Sequence, residues 1–173
     1  METLNNLQDL FVHELKDLYS AEQQILQALP KMATATEHQE LRQAFEEHVE
    51  VTREQVKRLD MIADELGIDL KGHKCKGMEG IIEEGAELAA AGGDDAVKDA
   101  ALITAAQRVE HYEMAGYGCA RTFALALGRT EDAELLQQTL NEEEETDQRL
   151  TDLAECLINP SALATDGKRA ARP

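Results

Sequence analysis

The sequence predicts an all-α protein, a four-helix bundle with one long crossover connection that carries a short fifth helix. Aromatic residues make up 3% of the chain, Trp is absent and Pro occurs three times, whereas strands favour aromatic and β-branched side chains. Apolar residues recur at three- and four-residue steps in four long segments, as in amphipathic helices. Two of these segments precede a long glycine-containing connection and two follow it, which is the connectivity of a bundle with one crossover.

A proline and a glycine bound the first two long helices. The first helix is predicted from about residue 4 to residue 29, where Pro30 favours a kink or a stop, with one further turn to residue 35 as the alternative. The second is predicted over residues 37–66, and Gly67 directly after it is a natural C-terminal cap.

The second half of the chain begins with the short helix, predicted over residues 78–91. A third long helix is predicted to run from an N-cap at Asp94 or Asp95 to Gly128. The fourth is predicted from about residue 131 to residue 157. Short turns within each half, and the long connection between them, place consecutive helices antiparallel.

Residues 1–160 are predicted to form one bundle domain, followed by a disordered basic tail over residues 161–173. Asn159 and Pro160 are expected to stop the fourth helix, because proline has no N–H to donate and its ring obstructs the preceding turn. The sequence TDGKRAARP at the end of the chain has no apolar periodicity.

The charge and the apolar runs exclude several classes of protein. The chain has 35 acidic and 17 basic residues, a formal net charge of −18, so it offers no basic face for nucleic acid or anionic lipid. No apolar run reaches the roughly 18 residues that span a bilayer, and the N-terminal sequence lacks the features of a signal peptide. We therefore expect a cytoplasmic protein that binds neither nucleic acid nor membranes.

The three cysteines predict neither a disulfide framework nor a zinc ribbon, because they are odd in number and form no CxxC pair. We expect reduced thiols. Cys119 and Cys156 lie within helical patterns and are predicted to be small core residues.

Each long helix carries an acidic or imidazole side chain in the middle of its apolar stripe. These residues are Glu22 in the first helix, His48 in the second, Glu110 and Glu113 in the third, and Glu143 and Asp147 in the fourth. Residues three or four apart share one face of a helix, so all six are expected to face the core. Buried carboxylates are costly unless they are paired, protonated or bound to a metal.

The candidate residues are predicted to lie at one height in the bundle. Two residues on antiparallel neighbouring helices are level when their numbers average to the position of the turn. By this test Glu113 is level with Glu143, and Glu110 with Asp147, about the turn at Gly128. By the same test Glu22 is level with His48, because their numbers average to 35, within the turn between the first two helices.

Carboxylates gathered in one apolar layer would repel each other unless cations lay between them. Oxygen ligands with one nitrogen suit Mn or Fe, and Glu113 and Glu143 could bridge two ions about 3.5 to 4 Å apart. We therefore predict a di-iron or di-manganese centre. Glu14 is the alternative to Glu22, although its height matches Gln55 rather than the histidine. In the run EEEET, residues 142–146, most glutamates are expected simply to face solvent.

Four segments resemble the YciE/YciF-type stress-response proteins of the ferritin-like superfamily. They are ELKDLYSAEQQ in the first helix, FEEHVEVTREQVKRLD in the second, AAQRVEHYEMAGYG in the third and LNEEEETDQRLTDLAE in the fourth. The resemblance covers about residues 3–158, and VEHYE is its most specific part. It implies a ferritin-like four-helix bundle with a crossover helix. It also implies a homodimer, since such proteins are often dimeric.

The resemblance also implies metal ligands. Glu110 and Glu113 match the Glu-x-x-Glu of the third helix, Glu143 matches the glutamate of the fourth, and Asp147 stands where relatives often have His. Glu22 or Glu14 matches the glutamate of the first helix. The second helix departs from the pattern, since Phe45 rather than Glu stands three residues before His48. One of the two metal positions is therefore expected to be short of ligands or empty.

Two functions remain open at this point. The first is a protein that binds two Fe or Mn ions and reacts with O₂ or peroxide in a stress response. The second is a non-catalytic helical dimer that acts as a structural or interaction protein and keeps a vestigial metal site.

Overall fold

The computed structural model describes the backbone of residues 3–170 and the side chains of residues 3–164. Its helices are α1 (Leu7–Ala35), α2 (Gln39–Leu66), α3 (Lys76–Ala90), α4 (Asp95–Ala126), α5 (Thr130–Leu153) and α6 (Asn159–Ala170), with a π turn, Ala154–Ile158, between α5 and α6. No strand occurs within residues 3–170. The predicted all-α class is therefore confirmed. Over the same residues, no helix is long and apolar enough to cross a membrane.

The four long helices enclose two apolar clusters. Helix α1 contacts α2 and α4, and α5 contacts the same two helices, while the short α3 packs against α4 and α1. One cluster contains Ile25, Phe45 and Leu102, and the other contains Phe11, Leu59 and Leu136. Between them along each long helix lie buried polar residues, so a polar layer divides the core.

The chain turns where several of the sequence signals predicted. Gly67 adopts φ 65° directly after α2 and its N–H bonds back to the last turn, a left-handed conformation that glycine adopts without strain. Asp94 caps α4 by accepting a hydrogen bond from the N–H of Ala96. Helix α1 continues through Pro30 to Ala35, so the alternative of one further turn is confirmed.

A buried aspartate of α4 holds the start of α2. The side chain of Asp99 is 3% exposed, and its two oxygens accept from the N–H groups of Glu37 and His38 at 3.2 and 3.1 Å. These N–H groups directly precede α2, whose N-cap is His38, and the helix supplies no partner for N–H groups at its start. The contact therefore ties α2 to α4 near one end of the molecule.

The predicted end of the last long helix is wrong. Instead of stopping at Asn159 and Pro160, the chain makes a π turn in which the N–H of Asn159 bonds to the oxygen of Ala154, and α6 follows. The wider turn shifts the backbone just before Pro160, so Pro160 falls in the first turn of a new helix. Proline is tolerated there, because the N–H that it lacks would have no partner within the helix. The predicted disordered tail falls partly in α6, and residues 171–173 lie outside the described residues.

The prediction that Cys119 and Cys156 are small core residues is also wrong. Cys119 and Cys156 are exposed, whereas Cys75 is buried. The thiol of Cys75 donates to Asp17 on α1 and lies 3.0 Å from the hydroxyl of Tyr112 on α4, which itself donates to the same aspartate at 2.7 Å. This contact fastens the start of α3 to α1 and α4.

Two glycines of α3 provide a matched test of that attachment. A methyl group on Gly77 would lie 2.6 Å from the ring of Tyr112, whereas one on Gly80 would meet nothing within 4 Å. Alanine normally stabilises a helix interior by about 0.5 to 1 kcal/mol relative to glycine. We therefore expect Gly80→Ala to raise the free energy of unfolding by that amount and Gly77→Ala to lower it, because the tyrosine must leave its hydrogen bond. Urea denaturation of both variants measures the difference, and equal stabilisation by both would contradict the attachment.

Candidate metal centre

Four of the six predicted residues meet in the polar layer. His48 of α2, Glu110 and Glu113 of α4 and Glu143 of α5 each offer one ligand atom, and these atoms all lie within 4.8 Å of one another. All four side chains are buried. Helical spacing explains the pair on α4, since residues three apart lie on one face. The cluster is a set of residues that could hold a metal ion.

Glu22 joins this cluster from α1. It is fully buried, and its Oε1 accepts a hydrogen bond from the hydroxyl of Tyr117. The negative charge of its carboxylate raises the pKa of Glu113. Glu14, the alternative on the same helix, lies among Asp17, His13 and His73 instead. The structure thus places Glu22, and not Glu14, beside the cluster.

Asp147 is not brought into the cluster. Its side chain is 22% exposed and lies 3.4 Å from His111, and it accepts a hydrogen bond from Gln107 at 3.1 Å. Asp147 is four residues after Glu143 and therefore about 40° farther round the helix. This rotation places the side chain of Asp147 at the outer side of the contact between α5 and α4. Leu150, three residues farther on, takes the buried position.

The histidine presents one ring nitrogen to the carboxylates. Its Nδ1 lies 3.4 Å from the hydroxyl oxygen of Thr146, which donates its own proton to the backbone oxygen of Glu142. This contact favours the tautomer with the proton on Nδ1, and Nε2 then faces Glu110 at 3.6 Å and Glu143 at 4.0 Å with its lone pair. Burial lowers the pKa of His48 to about 4, so the ring is neutral at neutral pH.

The carboxylates are held in an environment that opposes their ionisation. Burial raises the pKa of Glu110 to about 8. Burial also raises the pKa values of Glu22, Glu113 and Glu143 well above the ordinary value, and each of these groups is raised further by the charge of a neighbouring glutamate. In the absence of a cation the layer can only be accommodated by retaining protons.

Most of the cluster's buried polar atoms have no hydrogen-bond partner. They are Oε2 of Glu22, Nε2 of His48, Oε2 of Glu110, both side-chain oxygens of Glu113 and Oε2 of Glu143. Buried polar groups in folded proteins are nearly always satisfied. Carboxylate oxygens and an imidazole nitrogen are ligands for Fe and Mn, so these residues fit the predicted kind of ion.

A network of hydrogen bonds between α2 and α5 borders the cluster, and the sequence did not predict it. Gln55 donates to Oε1 of Glu143 and, at 3.2 Å, to Glu142. Arg58 forms two hydrogen bonds with Glu142, at 2.6 and 2.5 Å, and a third with Thr139 at 3.0 Å. Glu142 belongs to the run expected to face solvent. The available signal was the spacing of Gln55, seven residues after the histidine and hence on the same face of α2.

Tyr117 of α4 is a core residue that is 1% exposed. Its hydroxyl group also serves the cluster, because the hydrogen bond to Glu22 occupies one carboxylate oxygen and leaves the other facing Glu113. The position of a hydroxyl cannot be read from periodicity alone, since a buried tyrosine and a buried phenylalanine give the same pattern.

Comparisons with known proteins agree with this all-helical structure. Protein YciF of Escherichia coli (strain K12) is 46% identical over 160 residues, which are 92% of this chain and 96% of that protein. The crystal structure of this E. coli stress protein superposes with a TM-score of 0.87 at 46% identity, covering 90% of this chain and 99% of the other.

Two other solved structures have the same fold. YcfI of Rhodopseudomonas palustris superposes with a TM-score of 0.82 at 39% identity, covering 85% of this chain and 94% of the other. A protein of Xanthomonas campestris pv. campestris superposes with a TM-score of 0.73 at 21% identity, covering 92% and 98%, and shows a likeness of fold alone.

A family model described as Domain of unknown function (DUF892) matches residues 6–163. Both this match and the relationship to YciF extend over almost the whole chain, including every helix that contributes to the cluster. The chain belongs to the DUF892 family.

Proposed function

We propose that this protein is a ferritin-like four-helix bundle that binds Fe or Mn at the glutamate and histidine cluster and reacts with O₂ or peroxide in a stress response. Helices α1, α2, α4 and α5 would form the bundle, with α3 in the crossover connection. The description of YciF as a stress protein supports the biological setting. A cytoplasmic homodimer is part of the proposal, and light scattering of the purified chain would test the dimer.

The observation that carries the proposal is the set of unpartnered ligand atoms in the buried layer. Several carboxylates and one neutral imidazole converge from four helices, and the two divalent cations of the proposal would satisfy them together. Protonation satisfies only some of these atoms, because it pairs Glu22 with Glu113 and Glu110 with Glu143 and leaves other acceptor oxygens buried without donors.

The residues would divide the work between holding and positioning the ions. Glu113 and Glu143 would bridge two ions, with Glu22, His48 and Glu110 as terminal ligands. Asp147 was predicted to be a further terminal ligand, but its contacts with Gln107 and His111 leave it out of this set. With four carboxylates and one imidazole, one position would be well supplied with ligands and the other poorly supplied.

Residues around the ligands would keep them in place. Tyr117 holds one oxygen of Glu22, Gln55 holds one oxygen of Glu143, and Thr146 selects the tautomer of His48. Such outer contacts orient ligands and keep a metal site in one geometry. The bound ions would supply electrons to an oxidant and a Lewis-acidic position for it, while the apolar clusters on both sides would exclude bulk water.

Elemental analysis of matched variants tests ligand assignment. We expect about two Fe or Mn ions per chain in the purified protein, or one where only the well-supplied position is filled. Glu143→Ala is expected to lose most of the bound metal, because it removes a bridging carboxylate. Glu144→Ala is the control, since Glu144 is the exposed neighbour on α5 and is expected to leave the metal content unchanged. A value near zero in the unaltered protein after anaerobic reconstitution would sink the metal proposal and favour the non-catalytic alternative.

Thermal melts test the same site through stability. A ligand that binds only the folded state stabilises it by RT ln(1 + [L]/Kd), about 2.7 kcal/mol at one hundred times the Kd. Added Mn²⁺ is therefore expected to raise the Tm of metal-free protein and of Glu144→Ala, but not that of Glu143→Ala. Without metal, Glu143→Ala is expected to be at least as stable as the parent, since it removes a carboxylate from a crowded layer. Equal stabilisation of both variants by Mn²⁺ would place the ion elsewhere.

The stability of the metal-free protein is expected to fall as the pH rises from about 6.5 to 8. In this range the unfolded chain has released the proton of Glu110, whereas the folded chain, in which burial raises its pKa to about 8, still holds it. Folding then binds protons, so the free energy of unfolding decreases by up to about 1.4 kcal/mol per pH unit for each proton. The lowered pKa of His48, about 4, acts in the opposite direction only below this range. Urea denaturation of the parent and of Glu110→Gln measures the effect, and an equal slope in both would contradict it.

A further inference from the structure

A large apolar cavity lies beside the cluster, between α1, α3 and α4. Its volume is about 570 Å³, within the range of about 300 to 1,000 Å³ that small-molecule sites occupy. Ile25, Leu29 and Met32 line it from α1, and Ile82 and Ala89 from α3. The lining residues of α3 extend from Glu79 to Ala90, about 16 Å along the helix axis at 1.5 Å per residue, whereas a sphere of the same volume would be about 10 Å across. The cavity is therefore elongated along α3.

The cavity ends at the metal centre. Glu110 is one of its lining residues and also belongs to the cluster of candidate ligands. The side chain is 2% exposed and its Oε2 has no hydrogen-bond partner. Ala105, Ala106 and Val109 of α4 also line the cavity and are buried and apolar. A molecule in the cavity would therefore contact apolar groups along its length and a carboxyl group at its inner end.

Charges at the opening nearly balance. Lys31 and Glu83 are exposed there and carry opposite charges, and Glu79 is paired with Lys74. A site for an anionic head group would need a local excess of Lys or Arg, which this opening lacks. A neutral molecule fits the opening better than a charged one.

A second, smaller cavity reaches the same carboxyl group from the opposite side. It has a volume of about 150 Å³ and is lined by His48 and Glu110 at the centre. Glu47 and Arg149 are also among its lining residues and form an ion pair at 2.6 Å. Its volume suffices for a few water-sized molecules. An ion or a small oxidant thus has a separate approach, and the larger cavity exceeds what either requires.

We propose that the larger cavity binds a neutral, elongated aliphatic molecule, with its chain between α1 and α3 and one end against Glu110. Binding of the chain needs only the apolar walls and does not depend on metal. A role for the bound molecule in the chemistry of the centre, in contrast, rests on the proposed function.

Displacement of a fluorescent probe from the full-length, metal-free protein tests the binding. N-phenyl-1-naphthylamine, a neutral apolar fluorophore, would be bound first and then displaced with hexan-1-ol, octan-1-ol and decan-1-ol. Affinity is expected to rise about fourfold for each added CH₂ group, because each one leaves water for an apolar environment. Failure of the probe to bind, or displacement that does not depend on chain length, would overturn the proposal.

Variants that fill the cavity locate the bound molecule. Ala89→Phe on α3 and Ala28→Phe on α1 each add a ring to a lining position and are expected to weaken decan-1-ol binding at least tenfold. Ala115→Phe is the control, because Ala115 is exposed on α4 and does not line the cavity. Affinities that remain unchanged in both filled variants, with circular dichroism showing intact helices, would overturn the assignment.

Metal content and oligomeric state, measured on the same samples, separate the possible failures. Bound metal without alcohol binding refutes the cavity proposal and leaves the metal proposal standing. Alcohol binding by protein that takes up no metal after reconstitution supports the cavity and refutes the metal centre. Light scattering shows whether the protein is a dimer. If the dimer excludes the probe and the diluted monomer binds it, a second copy covers the cavity, and the proposal is overturned.

Discussion

Repulsion among buried carboxylates is the constraint on which the rest of the structure depends. Four glutamates are buried at 2% exposure or less in one layer, where ionised groups lose their hydration and raise one another's pKa values. Only protons or cations can offset this cost. The two apolar clusters above and below the layer supply the stability that allows such a layer to persist, because hydrophobic burial is the dominant favourable contribution to folding.

The surroundings of the layer differ from one side to another. Toward α2 and α5, Gln55 contacts Glu143 and Thr146 contacts His48, while Arg58 holds Glu142, to which Gln55 also donates. Toward α1 and α3 the layer is bordered by aliphatic side chains and an elongated cavity. The cluster is therefore bordered by polar contacts on one side and by apolar side chains and a cavity on the other.

Packing at the ends of the helices decides how this layer is built. Asp99 ties the start of α2 to α4, and the contact of Cys75 with Asp17 and Tyr112 ties the start of α3 to α1 and α4. These contacts bring together residues 37 to 95 positions apart in the chain. They fix the relative heights of the helices, on which the meeting of His48 with the carboxylates depends.

The all-α class and the approximate bounds of the long helices could be predicted from the sequence, because helical periodicity is visible in it. Periodicity also gives the face of each helix, and the midpoints of the turns give the height of each residue. Together they predicted that five buried residues meet, namely Glu22, His48, Glu110, Glu113 and Glu143. The tertiary structure alone decided the rest. Asp147 lies near the edge of the buried stripe, and a rotation of about 40° determined its exclusion. Packing against neighbouring helices overrides local preference and leaves no periodic signal in the sequence. It decides that the helix continues past Pro160, that Cys119 is exposed, and which partners Gln55 and Tyr117 contact.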